Sequence, residues 1–239
     1  MRRIWALIPL VLLGVTAIAE DEFTLYELLA PDSHRFAITY DVTTAKEGDR
    51  FFLNPIREGS IASDERVVDQ ASGKPLKWEI VTGKQAREAG LLGERAFGRA
   101  QRSLSSTRDA GSTPASANSE DSRAAELARI RDDEARFVKV ELAGPVPKDG
   151  ERRIRIFKTY TDPKSYYAEA DRVVFDRGLG IRRNAVLLPA GYELVSCTVP
   201  AIVSTEADGR VKASFVNDRD DLLPVKIVGR RLPAAGRAR

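Results

Sequence analysis

The sequence predicts an all-β protein, an antiparallel β-sandwich interrupted by a charged, partly helical and partly disordered insertion. Three observations support this fold class. Apolar and polar residues alternate with a period of two in several segments, as in half-buried strands. Turn residues rich in Gly and Asp separate most of these segments. Residues 101–119, by contrast, contain six serines and a single large apolar residue, Leu104, which is typical of a disordered segment.

Residues 1–19 have the features of a signal peptide. Arg2 and Arg3 precede an uncharged apolar run, which ends in the small-x-small pattern Ala17-Ile18-Ala19 of a cleavage site. The run is shorter than the roughly 20 residues of a membrane span. We therefore expect a periplasmic or secreted protein with no stable membrane span after cleavage, and an uncleaved N-terminal anchor is the alternative.

Net charge bears on the class of partner, and cysteine content bears on the source of stability. The chain carries a net charge of +3, and removal of Arg2 and Arg3 with the signal peptide leaves 3 − 2 = +1. A nearly neutral chain gives no reason to expect nucleic acid as a partner, because that interaction needs a concentrated basic face. The single cysteine cannot form an internal disulfide, so stability must rest on the hydrophobic core.

The alternation is clearest from Arg35, where Phe36, Ile38, Tyr40 and Val42 share one face. Asp208-Gly209 is the strongest hairpin signal. Residues 184–188 and 192–199 predict a central hairpin around Pro189-Ala190-Gly191, with Cys197 as a core thiol beside Val195 and Val199. The remaining predicted strands lie at 76–80, 138–142 and 211–215, with weaker patterns at 22–29, 50–56, 152–160, 172–176 and 224–230.

The strands fall into two parts. We expect residues 20–83 and 137–232 to complete one sandwich, and two small domains are the alternative. The insertion between them, 84–136, is predicted to be disordered near 101–119 and helical near 120–135, where a serine cap and acidic residues begin an Ala-, Glu- and Arg-rich run. Residues 233–239 form a flexible basic tail.

The motifs of common enzyme classes are missing from the sequence. It has no Gly-x-Ser-x-Gly and no His-Glu-x-x-His, and Gly178-Leu179-Gly180 precedes no helical pattern. The only histidine, His34, is interpreted as a turn residue. No catalytic residue, structural zinc site or cofactor is therefore predicted.

Three groups are candidates for ligand contacts. Arg182 and Arg183 form a basic pair at the entrance to a strand, and an acidic run could hold calcium through oxygen ligands. Three tyrosines near the Thr161-Asp162-Pro163 turn could stack on a sugar. The tyrosines are Tyr160, Tyr166 and Tyr167, and the calcium candidates are Asn217, Asp218, Asp220 and Asp221.

Two stretches carry resemblances. Residues 159–200, with 206–220, resemble a C-terminal region of uncharacterised exported bacterial β-sandwich proteins, a resemblance that implies no known activity. Residues 34–55, HRFAITYDVTTAKEGDRFFLNP, resemble the opening of the all-β N-terminal domain of exported aminopeptidase-like proteins. The zinc motif of that family is missing here, so no catalytic residue carries over.

These observations favour an exported, non-catalytic β-sandwich that acts as a binding, assembly or accessory module of the cell envelope, with an envelope protein or glycan as partner. The alternative is a carboxylate-based hydrolase or carbohydrate-active enzyme. That alternative needs a pair such as Asp171 and Asp176 in a cleft, at the separation of about 5–10 Å that glycoside hydrolysis uses.

Overall fold

The computed structural model describes residues 22–92, 132–219 and 222–233. These residues are mostly β-structure, as predicted, and they include one short α-helix, α1 (Gly83–Glu88), and a 3₁₀ turn at Pro31–Ser33. The strands are β1 (Phe23–Leu28), β2 (Arg35–Thr44), β3 (Phe51–Pro55), β4 (Ile61–Asp69), β5 (Trp78–Thr82), β6 (Arg136–Glu141), β7 (Arg152–Thr161), β8 (Tyr166–Glu169), β9 (Arg172–Leu179), β10 (Arg183–Leu187), β11 (Tyr192–Cys197), β12 (Ile202–Thr205), β13 (Val211–Val216) and β14 (Leu223–Arg231).

The larger sheet has seven strands in the order β12-β13-β10-β1-β2-β7-β4. Its interior strand β2 pairs along its whole length with β7, and strict alternation places Phe36, Ile38 and Tyr40 on the buried face. The expected antiparallel pairing holds for most neighbours, but β1 and β10 run parallel. This correction follows from the chain path, because β1 and β10 are far apart in sequence and no hairpin constrains their direction.

A four-stranded sheet, β11-β14-β9-β8, packs on the seven-stranded sheet to form the sandwich. Phe175 of β9 crosses the interface, with its ring centroid 5.4 Å from that of Tyr26 and 5.6 Å from that of Phe36. Phe36 and Phe175 meet edge to face and are fully buried. These aromatic contacts form the centre of the core.

A three-stranded sheet, β3-β6-β5, extends the same core, since Val138 and Val140 of β6 are fully buried in it. The opposite face of this sheet covers a small second cluster around Phe137 and Val81. Helix α1 begins with a capping box between Thr82 and Gln85. The sequence suggested that Trp78 and Ile80 lie on a buried face, but β5 is an edge strand and leaves both partly exposed.

The prediction of a hairpin around Pro189-Ala190-Gly191 is wrong. β10 pairs with β1 and β13 in the seven-stranded sheet, whereas β11 pairs with β14 in the four-stranded sheet. The Pro-Ala-Gly corner therefore carries the chain from one sheet to the other, and Gly191 has the positive φ of 78° that such a corner requires.

Cys197 is only partly buried, although it packs against the core. The sequence placed Val195 on the same buried face, but a bulge between Leu194 and Ser196 breaks the alternation and leaves Val195 45% exposed.

Most of the insertion lies outside the described residues, as do the signal segment 1–19, the stretch 101–119 and most of the basic tail. Of the helix predicted near 120–135, the described residues 132–135 form a bend and not a helix. Within the described ranges, no helix has the length and apolar character needed to cross a membrane.

Candidate functional site

An open cleft of about 710 Å³ lies at one end of the sandwich. Its lining combines the end of β1 and the following loop, the Pro189–Gly191 corner, the β12–β13 hairpin and the end of β14. Leu28 and Tyr192 give the cleft a buried apolar component, and the exposed Leu232 adds an apolar rim. The charged side chains on its wall determine which chemistry the cleft can support.

Those charges are paired with one another. Arg210 donates to Glu27 Oε1 at 2.5 Å and to Asp208 Oδ2 at 2.7 Å. Hydrogen bonds from the backbone and side chain of Arg210 hold the pKa of Asp208 below its usual value, so this carboxylate stays ionised at neutral pH. Arg231 donates to the Tyr192 hydroxyl at 3.1 Å and lies 5.6 Å from that ring. The carboxylates of Glu27 and Asp208 are thus both ion-paired with Arg210. This arrangement suits ligand binding better than acid–base catalysis.

A second exposed feature is strand β12, Ile202-Val203-Ser204-Thr205, at the edge of the seven-stranded sheet. All four side chains are uncharged, and Ile202 is 77% and Val203 53% exposed. Within the described residues β12 pairs only with β13. An edge of this kind presents N–H and C=O groups that a further strand can pair with.

Exposed apolar side chains also lie on β13 and β11, and Val203, which pairs with Ala213, is on the opposite face of β12 from Ile202. Ile202 pairs with Ser214, so Val216 lies two residues further along β13 on the same face, and it is 55% exposed. Thr198–Ala201 carry the chain from β11 to β12, which places both edge strands on the same side of the sandwich. We call the surface formed by Val195, Ile202, Val203 and Val216 the β12 edge surface.

Two other edge strands of the sandwich, β4 and β11, are protected against pairing. β4 is interrupted by a bulge between Ser63 and Arg66, with a positive φ of 58° at Asp64, and Pro75 bridges to its end at Val68. β11 has the bulge at Val195 and an ion pair between Glu193 and Arg230. Bulges and charges are common defences of edge strands, and β12 has neither, although its length of four residues also limits pairing.

The structure separates the arginine pair from the cleft. Arg182 and Arg183 are exposed at the start of β10, whereas the cleft lies beyond the end of that strand. Arg183 pairs in register with Val216, so it borders the β12 edge surface. Its Nε approaches the Glu22 carbonyl oxygen at 3.5 Å.

The three tyrosines do not form an exposed stacking face. Tyr160 and Tyr166 are buried, at 2% and 0% exposure, and the Tyr166 hydroxyl donates to the Leu29 carbonyl at 2.8 Å. Tyr167 is half-buried. His34 is a turn residue with a φ of 52°, and its Nδ1 lies 3.0 Å from the Tyr166 carbonyl oxygen.

The calcium candidates are only partly described. Asn217 is buried, and its amide nitrogen donates to the Leu179 carbonyl while its Oδ1 accepts from the Arg219 N–H. Asp218 is exposed, and Asp220 and Asp221 lie outside the described residues. Among the residues that the structure describes, no three potential metal ligands cluster together. The calcium site stays a prediction.

Sequence reasoning missed the strands β4, β8 and β12 and a buried ion pair. The Asp208-Gly209 turn implied a strand before Val211, and the β-branched run Ile202-Val203 could have identified it. Asp162 was assigned only to a turn, yet it forms a buried ion pair with Arg177 at 3.0 Å. No local pattern around Arg177 indicates such a partner.

Comparison with known proteins gives little further information. No family model and no curated protein matches the chain. The solved structures found include an M1 zinc metallopeptidase from Deinococcus radiodurans, with a TM-score of 0.44 and 12% identity over 87% of this chain and 41% of that chain. They also include an aminopeptidase N family protein from Idiomarina loihiensis, with a TM-score of 0.43 and 8% identity over 87% of this chain and 29% of that chain.

The second structure is described as an aminopeptidase N family protein, the kind of protein that residues 34–55 resemble. The chain spans less than half the length of either structure. Similarity at this level carries no argument about activity, so any function rests on the residues described above.

Proposed function

We propose that this protein is an exported, non-catalytic domain that binds an extended segment of a partner polypeptide by strand addition to β12. The observation that carries the proposal is the edge strand β12, which has four uncharged residues, no bulge and an Ile202 side chain that is 77% exposed. Strand addition derives affinity from main-chain hydrogen bonds and specificity from alternate side chains. The β12 edge surface supplies the main-chain groups for these hydrogen bonds and the exposed side chains for specificity.

The cleft supports the same function. Asp208 and Arg210 belong to the hairpin that follows β12 and also line the cleft. A partner strand that pairs with β12 toward Thr205 therefore runs toward the cleft, whose paired charges and apolar lining can accommodate a further part of the segment. An envelope protein is the partner class expected from the signal peptide.

The hydrolase alternative has less support from the geometry. Asp171 precedes β9 and Asp176 lies within it, and five residues of extended strand span roughly 16 Å. That separation exceeds the roughly 5–10 Å that two catalytic carboxylates require. Asp176 also forms an ion pair with Lys226 at 3.4 Å.

Two matched variants test the proposal. Ile202→Lys places a charge on the open edge, while Ile61→Lys changes an isoleucine that is 67% exposed on β4, at the other edge of the same sheet. Envelope extract of the source organism is passed over each immobilised protein, and retained proteins are quantified. We expect one protein retained by wild type and Ile61→Lys, and retained at least about tenfold less by Ile202→Lys. Equal retention by all three proteins would exclude the β12 edge.

A further inference from the structure

Lys158 is a lysine buried in the core of the sandwich. It is 7% exposed and lies on the inward face of β7, between Ile156 and Tyr160. Its Nζ donates to Asn54 Oδ1 of β3 at 2.5 Å and lies 5.0 Å from the Tyr160 ring. Within the described residues it forms no ion pair with a carboxylate. Lysine is rarely buried without a charged partner, because desolvating an ammonium group is costly.

Glu65 lies opposite Lys158 on the neighbouring strand. β4 and β7 pair at Ser63–Thr159 and again at Arg66–Phe157, so the bulge residues Asp64 and Glu65 lie opposite Lys158 along the strand, and the exposed Asp64 carboxylate accepts from Arg35. Arg66 stacks on Phe157 at 3.9 Å on the outer face, and alternation therefore turns Glu65 inward. Its Oε1 is buried and has no hydrogen-bond partner among the described residues.

Lys158 and Asn54 are thus in contact in the core, and Glu65 lies opposite Lys158 on the neighbouring strand, beyond ion-pair distance of its amine. The Nζ of Lys158 is within about 4 Å of the Asn54 carbonyl carbon, since a C=O bond adds only about 1.2 Å to the 2.5 Å contact. Ile156 and Val138 nearby are fully buried, and Lys158 and Asn54 are only 7% and 8% exposed. Fixed proximity of this kind replaces a bimolecular encounter and accelerates amide chemistry by a large factor.

We propose that Lys158 and Asn54 react to form an intramolecular isopeptide bond, with Glu65 as the proton carrier. Rotation of the Glu65 side chain brings its carboxylate to Nζ, where it takes a proton from the Lys158 ammonium, and the neutral Nζ attacks the Asn54 carbonyl carbon. Glu65 then transfers that proton to Asn54 Nδ2, the bond between this carbon and Nδ2 breaks, and ammonia leaves. The second proton of Nζ passes through Glu65 to the ammonia. The products are a secondary amide and ammonium, so charge is conserved and no oxidant is needed.

Such a bond would join β3 of the three-stranded sheet to β7 of the seven-stranded sheet. It would supply a covalent link that the single cysteine cannot provide.

Mass spectrometry of the purified full chain tests the proposal. We expect an intact mass lower by one ammonia, about 17 Da, than that calculated for the residues present in the purified chain, and a tryptic peptide pair joined through Asn54 and Lys158. An unchanged mass with separate peptides would overturn the proposal. A lower mass with separate peptides would also overturn it, because a succinimide at an asparagine loses ammonia without linking two peptides.

Three variants test the roles of the residues. Lys158→Met should have the full sequence mass, and Lys226→Met, which removes an exposed lysine, should keep the loss of ammonia. Glu65→Gln preserves side-chain shape and should reduce the linked fraction at least tenfold, with the same circular dichroism spectrum as wild type. A linked fraction unchanged in Glu65→Gln would exclude Glu65 as the proton carrier.

Discussion

Replacement of Arg177 by methionine should destabilise the protein severely, because Arg177 and Asp162 form a buried ion pair between the two sheets of the sandwich. Arg177 is 8% and Asp162 5% exposed, and Nη1 lies 3.0 Å from Oδ2. Ser60 and Ser165 donate to the same carboxylate oxygen at 3.1 and 2.7 Å. The guanidinium also lies 5.4 Å from the rings of Phe36 and Tyr160.

The expected loss follows from this geometry. Arg177→Met leaves the Asp162 carboxylate buried with only neutral hydroxyl and backbone donors, and removal of one partner of a buried pair costs about 3–5 kcal/mol. Urea unfolding at pH 7 measures this loss as a midpoint lowered by at least about 1 M. The double variant Arg177→Met/Asp162→Asn should be less destabilised than the sum of the single variants, because it removes the uncompensated charge.

The loss should depend on pH. Burial raises the pKa of Asp162, but hydrogen bonds from Ser165 and the charge of Arg177 outweigh burial and hold this pKa below 3.8. A lowered folded-state pKa stabilises the fold above the unfolded value, and this contribution disappears as pH falls through the folded-state pKa. The difference between wild type and Arg177→Met should therefore shrink toward pH 3. A loss below about 1 kcal/mol at pH 7, or a difference that grows on acidification, would refute the reasoning.

Three further predictions concern stability, each measured as a thermal or urea midpoint. Glu65→Gln should lower the melting temperature by roughly 10–20 °C, because the proposed link between Asn54 and Lys158 closes a loop on the order of 100 residues and contributes about 4–5 kcal/mol to stability. An unchanged midpoint would contradict this prediction. Gly191→Ala should lower the free energy of unfolding by about 1 kcal/mol, since the φ of 78° at this position is unfavourable for alanine. Unchanged stability would show that the Pro189–Gly191 corner relaxes. Gly229→Ala should lower the free energy of unfolding by about 1–3 kcal/mol, because the added Cβ would lie 3.0 Å from Val173 Cγ2 and 3.3 Å from the Glu193 carbonyl oxygen. A variant as stable as wild type would show that β14 can shift.

The sequence was sufficient for the fold class and for most strands, because alternation is a local signal. It predicts the buried face of β2 residue by residue. It could not predict which strands pair, since the Pro189–Gly191 corner has the composition of a hairpin turn but joins different sheets. Pairing between β1 and β10 depends on contacts between residues far apart in the chain.

The candidate site was less accessible to sequence reasoning. Arg183 was selected as an exposed cation, and the structure places it beside Val216 at the border of the β12 edge surface. An exposed edge is a property of sheet order, which no run of residues specifies. The proximity of Asn54, Glu65 and Lys158 likewise arises from three strands in two sheets, so no motif spacing indicates it.

Site-specific photo-cross-linking from Ser204 tests the proposed binding edge most directly. A photoreactive residue at this position of β12 should link the protein, in envelope extract, to the same partner that wild type retains. The same residue placed at Lys226, on the outer surface of the four-stranded sheet, should not. Cross-links of equal yield from both positions, or only between two copies of this chain, would contradict strand addition of a partner polypeptide to β12.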